Sequence, residues 1–269
     1  MFSRQLVGGY HGSPQSKLRG PTVTEHLYRQ DAYLTECEAR VVSVDDDGIV
    51  LDRTVFYPLG GGQPGDSGYL QTDQGSVRIQ GARHGPDGTV LHIPEEGSVA
   101  AGTKVRAVID WDRRYAHMRM HTCLHLLGAL VPHGVTGGNI SETRSRLDFD
   151  MTDTVDKAAL TEKLNRLIEA NHPVESFWIS EQELDARQEL IRTMSVRPPR
   201  GVGEIRLLQI PGVDLQPCGG THVRQTGEIG PVRIGKVEKK GRHNRRIAVE
   251  FAMEDEQVRA LADALLTEE

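Results

Sequence analysis

The sequence predicts an α+β protein in which a small antiparallel β-barrel or sandwich precedes a domain of segregated helices and strands. Three observations carry this expectation. Residues 22–110 run in short strand-like segments, broken at close intervals by turn residues. At Trp111 the pattern changes to helical. Beyond Glu204 strand-like runs return without alternating strictly with helices.

The elements follow in order. Residues 1–21 carry Gly, Pro, Ser, Gln and Arg without apolar periodicity, so they are expected to be a disordered leader or an expression remnant. Glu36–Val44 is rich in β-branched residues and closes at the turn pair Asp47-Gly48. Ile49–Tyr57, Gly68–Thr72, Ser76–Ala82, Thr89–Ile93 and Val105–Asp110 add five runs, and we favour a barrel over a sandwich. A helix is expected over Arg113–Val131, N-capped by Asp112 and stopped by Pro132. A second is expected over Val155–Ala170, with Leu160, Leu164, Leu167 and Ile168 on one face. Ser180 and Glu183 read as a capping box opening a third, to about Arg192, before Arg197-Pro198-Pro199 breaks the chain. Glu204–Ile210, Val232–Val237 and Arg246–Phe251 read as strands and Met253–Leu266 as a terminal helix. The expected division is a barrel domain over 22–110 and an α+β domain over 111–269.

Composition narrows the classes. Hydrophobic residues at 37% exclude bulk disorder. No apolar run approaches the roughly 20 residues of a membrane helix, and the N-terminus has no secretory pattern. Three cysteines make no disulfide framework and fit a reducing cytoplasm. A net charge of −6 excludes a basic coat for nucleic acid but leaves room for a local patch.

Four motifs carry chemistry. His121 and His125 stand one turn apart on one helix face, and Cys218-Gly219-Gly220-Thr221-His222 could turn a thiolate and an imidazole to the same point. One sulfur and three nitrogens suit one zinc ion per chain. Thr122 stands where a zinc peptidase needs its glutamate, so that mechanism is disfavoured. His117, one helical turn before His121, reads as an exposed histidine or a supporting partner, and Cys123 as a core residue. The third motif, Gly60-Gly61-Gly62-Gln63-Pro64-Gly65-Asp66-Ser67-Gly68, lets backbone approach a ligand closely but lacks the end of a phosphate-binding P-loop. The fourth is basic: Arg233, Lys236, Lys239, Lys240, Arg242, Arg245 and Arg246 against Glu238 alone, a natural attraction for phosphate.

In this order the motifs resemble the editing region of alanyl-tRNA synthetase. With no aminoacylation domain ahead of them, the chain resembles the free-standing AlaX family of alanyl-tRNA editing proteins, in its medium-length form. The resemblance covers about Thr24 to Phe251. It implies a β-barrel joined to an α+β editing domain of the kind shared by threonyl- and alanyl-tRNA synthetases. It also implies zinc ligands His121, His125, Cys218 and His222, and Gln63 lining the editing pocket. Gln63 and Thr221 are then expected in catalysis or in reading a serine hydroxyl. Gly61, Gly62, Gln63, Asp66, Lys239, Lys240 and Arg242 are expected against substrate or tRNA. Gln63→Ala is expected to impair deacylation and leave zinc in place. The implied reaction is hydrolysis of Ser-tRNA(Ala), and of Gly-tRNA(Ala), by a cytoplasmic protein with no membrane contact. A zinc-containing tRNA-binding module without catalysis and an editor of Ser-tRNA(Thr) stay open. Arg113, Arg114 and Arg119 offer a second basic surface, and oligomeric state is left open.

Overall fold

The computed structural model describes residues 24–187, 190 and 203–252. The expected leader over 1–21 and terminal helix Met253–Leu266 lie outside them. In chain order the elements are β1 (Glu25–His26), β2 (Glu36–Asp45), β3 (Gly48–Leu51), β4 (Arg53–Thr54), β5 (Gly68–Thr72), β6 (Gly75–His84), β7 (Val90–Pro94), β8 (Lys104–Ile109), α1 (Trp111–Leu130), β9 (Val135–Asn139), β10 (Arg144–Asp150), α2 (Lys157–Glu169), β11 (Glu175–Ser180), α3 (Glu181–Asp185), β12 (Glu204–Ile210), β13 (Asp214–Pro217), β14 (Val232–Gly241) and β15 (Asn244–Phe251). No helix among the described residues is long and apolar enough to cross a membrane.

Strands β2-β3-β7-β6-β5-β8 close into an antiparallel barrel. Alternate residues point inward, so Val41, Ile49, Leu51, Leu70, Ile79, Val105 and Ala107 fill it. The expected strand Ile49–Tyr57 divides. Asp52 accepts the Arg40 N–H on its carboxylate (2.8 Å), and the chain leaves the barrel wall there to pair β4 with β1. It then runs buried through Val55, Phe56 and Tyr57 into the glycine loop.

The second half packs α1 and α2 against the sheet β14-β15-β10-β9, with Met118, Met120, Leu127, Phe149, Leu164 and Val249 in its core. Beside it stands the small sheet β11-β12-β13. Four of these strands, β9, β10, β11 and β13, went unforeseen. β9 reads Val-Thr-Gly-Gly-Asn and β10 alternates with charge, so propensity alone marks them as loop. Cross-strand partners hold them instead: Asp148 of β10 faces Arg246 of β15, with bonds of 2.8 Å.

Capping follows expectation at α2, where Asp156 accepts from Ala159, and at α3, where Ser180 and Glu183 form the box. It differs at α1. The N-cap is Asp110 rather than Asp112, and its carboxylate is held by Arg78 (2.9 and 2.7 Å) instead of the helix. Helix α3 stops at Asp185 rather than near Arg192, with Ala186 as its C-cap.

A buried ion pair joins the halves. Arg114, on the first turn of α1, is fully buried and forks onto the buried Asp66 of the glycine loop. Its other donors reach the carbonyls of Ala32 (3.0 Å) and Val55 (2.6 Å), while Asp66 also accepts the Tyr57 N–H (2.6 Å). Two charges out of water are tolerable only when both are answered in this way. Asp66→Ala is expected to cost about 3–5 kcal/mol of stability, because it strands a buried guanidinium. The double variant Asp66→Leu/Arg114→Met should cost clearly less in denaturant titrations; equal losses would mean the charges do not depend on each other.

Candidate metal centre

Helix α1 turns one face toward the loop that follows β13. His121 and His125 stand one turn apart on that face, with ring centroids 5.3 Å apart. The loop brings Cys218 Sγ to 3.5 Å from His121 Nε2 and 3.2 Å from His222 Nε2. One ligand atom from each of His121, His125, Cys218 and His222 lies within 4.8 Å of the other three.

A second layer orients the imidazoles. His121 Nδ1–H donates to Gln63 Oε1 (3.0 Å), His125 Nδ1–H to Asp214 Oδ2 (2.8 Å) and His222 Nδ1–H to Thr122 Oγ1 (3.2 Å). Thr122 passes its own proton to the Met118 carbonyl (3.0 Å). With every Nδ1 engaged, the Nε2 edges are left for a shared point. Partners of this kind fix tautomer and ring angle in metal sites.

The electrostatics agree with a ligand set. Burial would push the Cys218 thiol up, but His121, His222 and His125 hold it well below its ordinary value. Burial opposes charge on His125, yet the Cys218 thiolate and Asp214 push it up to about 10. His222 goes the other way, lowered by burial and by neighbouring His121. A thiolate and three aimed imidazoles could hold a metal ion.

Close approach explains the motif's glycine. A Cβ on Gly220 would sit 2.2 Å from His121 Cε1 and 2.9 Å from Gln63 Oε1, so only glycine lets the loop lie on the imidazole. The far side of this loop is tied down by Glu228, which accepts from Tyr33 Oη (2.5 Å), Tyr115 Oη (3.1 Å) and the Arg224 N–H (2.9 Å).

The barrel's glycine loop meets the centre directly. Gln63 is fully buried; its Oε1 accepts from His121 and from the Thr221 N–H (3.1 Å), and its Nε2 donates to Thr221 Oγ1 (2.8 Å). Gly61 and Gly62 form the adjoining turn at positive φ (57° and 82°), and the Gly62 carbonyl accepts the Ile140 N–H (2.9 Å). Gln63 and Thr221 thus orient His121, with their polar atoms engaged by one another. Gln63→Ala would remove the acceptor of the His121 ring.

Other expected residues fall elsewhere. Asp66 does not face substrate: its carboxylate is buried against Arg114. Arg114 and Arg119 are buried, Arg119 donating to the Ile229 carbonyl (3.0 and 2.8 Å), so neither offers charge to RNA. His117 is buried rather than exposed, and Cys123 lies in the core as expected. Lys239, Lys240 and Arg242 stand exposed at the β14–β15 turn, whereas Arg233 pairs with Glu250 and Arg246 with Asp148. Acids of the neighbouring strands β15 and β10 therefore answer part of the basic run. Sequence reasoning missed Asp214, Tyr33 and Glu228; no spacing links them to the histidines.

Comparison with known proteins is specific. Residues 25–113 match the family described as tRNA synthetases class II (A), and residues 205–248 match the Threonyl and Alanyl tRNA synthetase second additional domain. The chain is 39% identical over 239 residues to the alanyl-tRNA editing protein AlaX-M of Methanosarcina acetivorans, covering 84% of this chain and 98% of that protein. It is 35% identical over 231 residues to AlaX-M of Saccharolobus solfataricus, covering 84% and 98%. It is 37% identical over 225 residues to the alanine–tRNA ligase of Archaeoglobus fulgidus, covering 80% of this chain and 24% of the ligase.

Elemental analysis of purified variants checks the ligand set. Cys218→Ala is expected to lose bound metal, and Cys123→Ala to keep it. Asp214→Asn should weaken metal affinity by about 10–100-fold in chelator competition, as loss of a ligand's supporting carboxylate does. Full metal in the Cys218→Ala/His222→Ala double variant would overturn the assignment.

Proposed function

The chain belongs to the AlaX family of alanyl-tRNA editing proteins, and from that membership we propose that it is a trans-editing hydrolase that deacylates Ser-tRNA(Ala), and also Gly-tRNA(Ala), with one zinc ion per chain. The observation that carries this reading is the convergence of His121, His125, Cys218 and His222 under the buried Gln63. The donor set suits zinc, a borderline-soft ion that accepts thiolate and imidazole together. When bound, it would position the attacking water or the aminoacyl end beside these residues. Gln63, Asp214 and Thr122 hold the imidazoles in place, and Thr221 holds Gln63. Water attacks the ester carbonyl, the bond to the ribose oxygen breaks, and no covalent enzyme intermediate is needed.

Physical limits on selection explain why such a site is useful. A synthetase pocket shaped for alanine cannot strongly reject glycine, which is smaller, or serine, which adds one hydroxyl. Discrimination by a small group is limited to roughly 10–200-fold, and a second hydrolytic site multiplies it. Such a substrate is met where translation runs, so we place the protein in the cytoplasm; Cys37, Cys123 and Cys218 are free thiols.

An acidic protein must hold tRNA through local charge. Lys239, Lys240 and Arg242, exposed at the β14–β15 turn, are the proposed phosphate contacts, with Lys240 partly answered by Glu238 (3.5 Å). Neutralising the triad should flatten the slope of log K against log salt by on the order of 1–2 units, alike for tRNAs of every identity.

A panel of charged tRNAs tests the function. The zinc-loaded protein is expected to hydrolyse Ser-tRNA(Ala) fastest, to lose activity on chelation and to regain it with zinc. Binding without hydrolysis of any substrate would favour the tRNA-binding module. Preference for Ser-tRNA(Thr) would favour the other editor, consistent with the domain shared by threonyl- and alanyl-tRNA synthetases.

A further inference from the structure

Between the segment 28–33 and β12 lies an open pocket of about 120 Å³ whose lining includes His222. Arg206 of β12 reaches into its wall. Its Nη1 donates to the carbonyls of Cys218 (3.0 Å) and Gly220 (3.0 Å), while its Nε is buried and donates to nothing. Among the described residues no carboxylate forms an ion pair with Arg206, whose Nη1 bonds are to carbonyls. Arg29 lines the same pocket and is exposed, its guanidinium lying 5.9 Å from the Tyr28 ring centroid. Of the acids in the lining, Asp31 is held by Arg224 (3.4 Å), and Glu175 is exposed.

Arg206, half-buried with its Nε unanswered, and the exposed Arg29 give this pocket two cations that one anion could join. Planar guanidinium donors match phosphate oxygens. The neighbouring strand adds an aromatic surface. Trp178 of β11 stands directly across from Arg206 in the antiparallel pair, so both side chains share one face, and Trp178 is 44% exposed. An exposed ring beside cations is how proteins hold unpaired nucleotides, by stacking a base and pairing its phosphate.

We propose that this pocket, with Arg206 and Arg29, binds the phosphodiester next to the aminoacylated nucleoside of the single-stranded acceptor end, and that Trp178 stacks the preceding base. The assignment rests on the editing reading above, because the backbone that Arg206 grips belongs to the loop carrying Cys218 and His222. It extends that reading by giving the RNA strand a path away from the metal centre, across the face of β11 and β12.

Titration of the full zinc-loaded chain, followed by tryptophan fluorescence, tests it with two probes: adenosine, and the dinucleotide cytidylyl-(3′→5′)-adenosine. The dinucleotide is expected to bind at least about tenfold more tightly, the scale of one charge-assisted contact, and to quench Trp178. Arg29→Ala should reduce that ratio to about twofold, and Trp178→Leu should lower dinucleotide affinity and remove the quench. Arg206→Gln should do the same as Arg29→Ala, but it also touches the metal loop. Arg29 touches none of the ligands, so its variant carries the test where Arg206→Gln loses zinc. Equal affinity for the two probes in the unaltered protein would overturn the proposal, as would an unchanged ratio in both Arg29→Ala and Trp178→Leu. Hydrolysis of Ser-tRNA(Ala) with equal probe affinities would sink this proposal alone. No hydrolysis with the tenfold ratio intact would sink the editing reading and leave the RNA pocket standing.

Discussion

The structure depends on how the glycine loop of the barrel grips helix α1. Two side chains of one loop do this, Asp66 on Arg114 and Gln63 on His121. Positions 114 and 121 are seven apart, two helical turns, so both contacts fall on the same helix face. The ion pair sets the helix against the barrel, and the amide sets the imidazole within that frame. Neither contact tolerates much slack. A buried carboxylate leaves its partner uncompensated if it moves, and Gln63 has donor and acceptor both engaged.

From that frame the metal centre follows by orientation. Three histidines come from two places in the chain, and each has an acceptor at Nδ1 that sets its tautomer and ring angle. The acceptors differ in kind: an amide oxygen from the barrel, a carboxylate from β13 and a hydroxyl from the helix itself. The Cys218 thiolate and the Asp214 carboxylate push His125 up, while burial drives His222 toward neutrality. Thr122, which rules out a peptidase-like glutamate, has a positive use as the acceptor for His222. The same position thus excludes one chemistry and supports another.

Charge placement reconciles an acidic chain with an RNA substrate. Of the arginines in and around the metal helix, Arg114 and Arg119 are structural, bonded to carboxylate and carbonyl groups inside the protein. The cations proposed to meet RNA are peripheral, at the β14–β15 turn, or stand in the pocket beside the loop of Cys218 and His222. Repulsion from the net charge of −6 is long-ranged and screened by salt, whereas the proposed contacts would act at close range. Local arrangement, rather than total charge, decides whether RNA is held.

The sequence by itself determined the barrel strands, the helices α1 and α2 and the four donors. These rest on local rules: alternation of side chains, helical spacing, turn residues, and imidazoles one turn apart. It also determined the family, because the motifs His-x-x-x-His, Cys-Gly-Gly-Thr-His and Gly-Gly-Gly-Gln-Pro-Gly-Asp are short and their order is specific. Only the tertiary structure decided that β9 and β10 are strands, because their glycines and charges become acceptable once β15 supplies partners. It also decided that Asp66 holds a helix instead of a ligand, that Gln63 reaches a histidine 58 positions away, and that Asp214 stands behind His125. These are pairings of buried polar groups between distant segments. No period or propensity encodes them, because each is selected by what else is buried at that point.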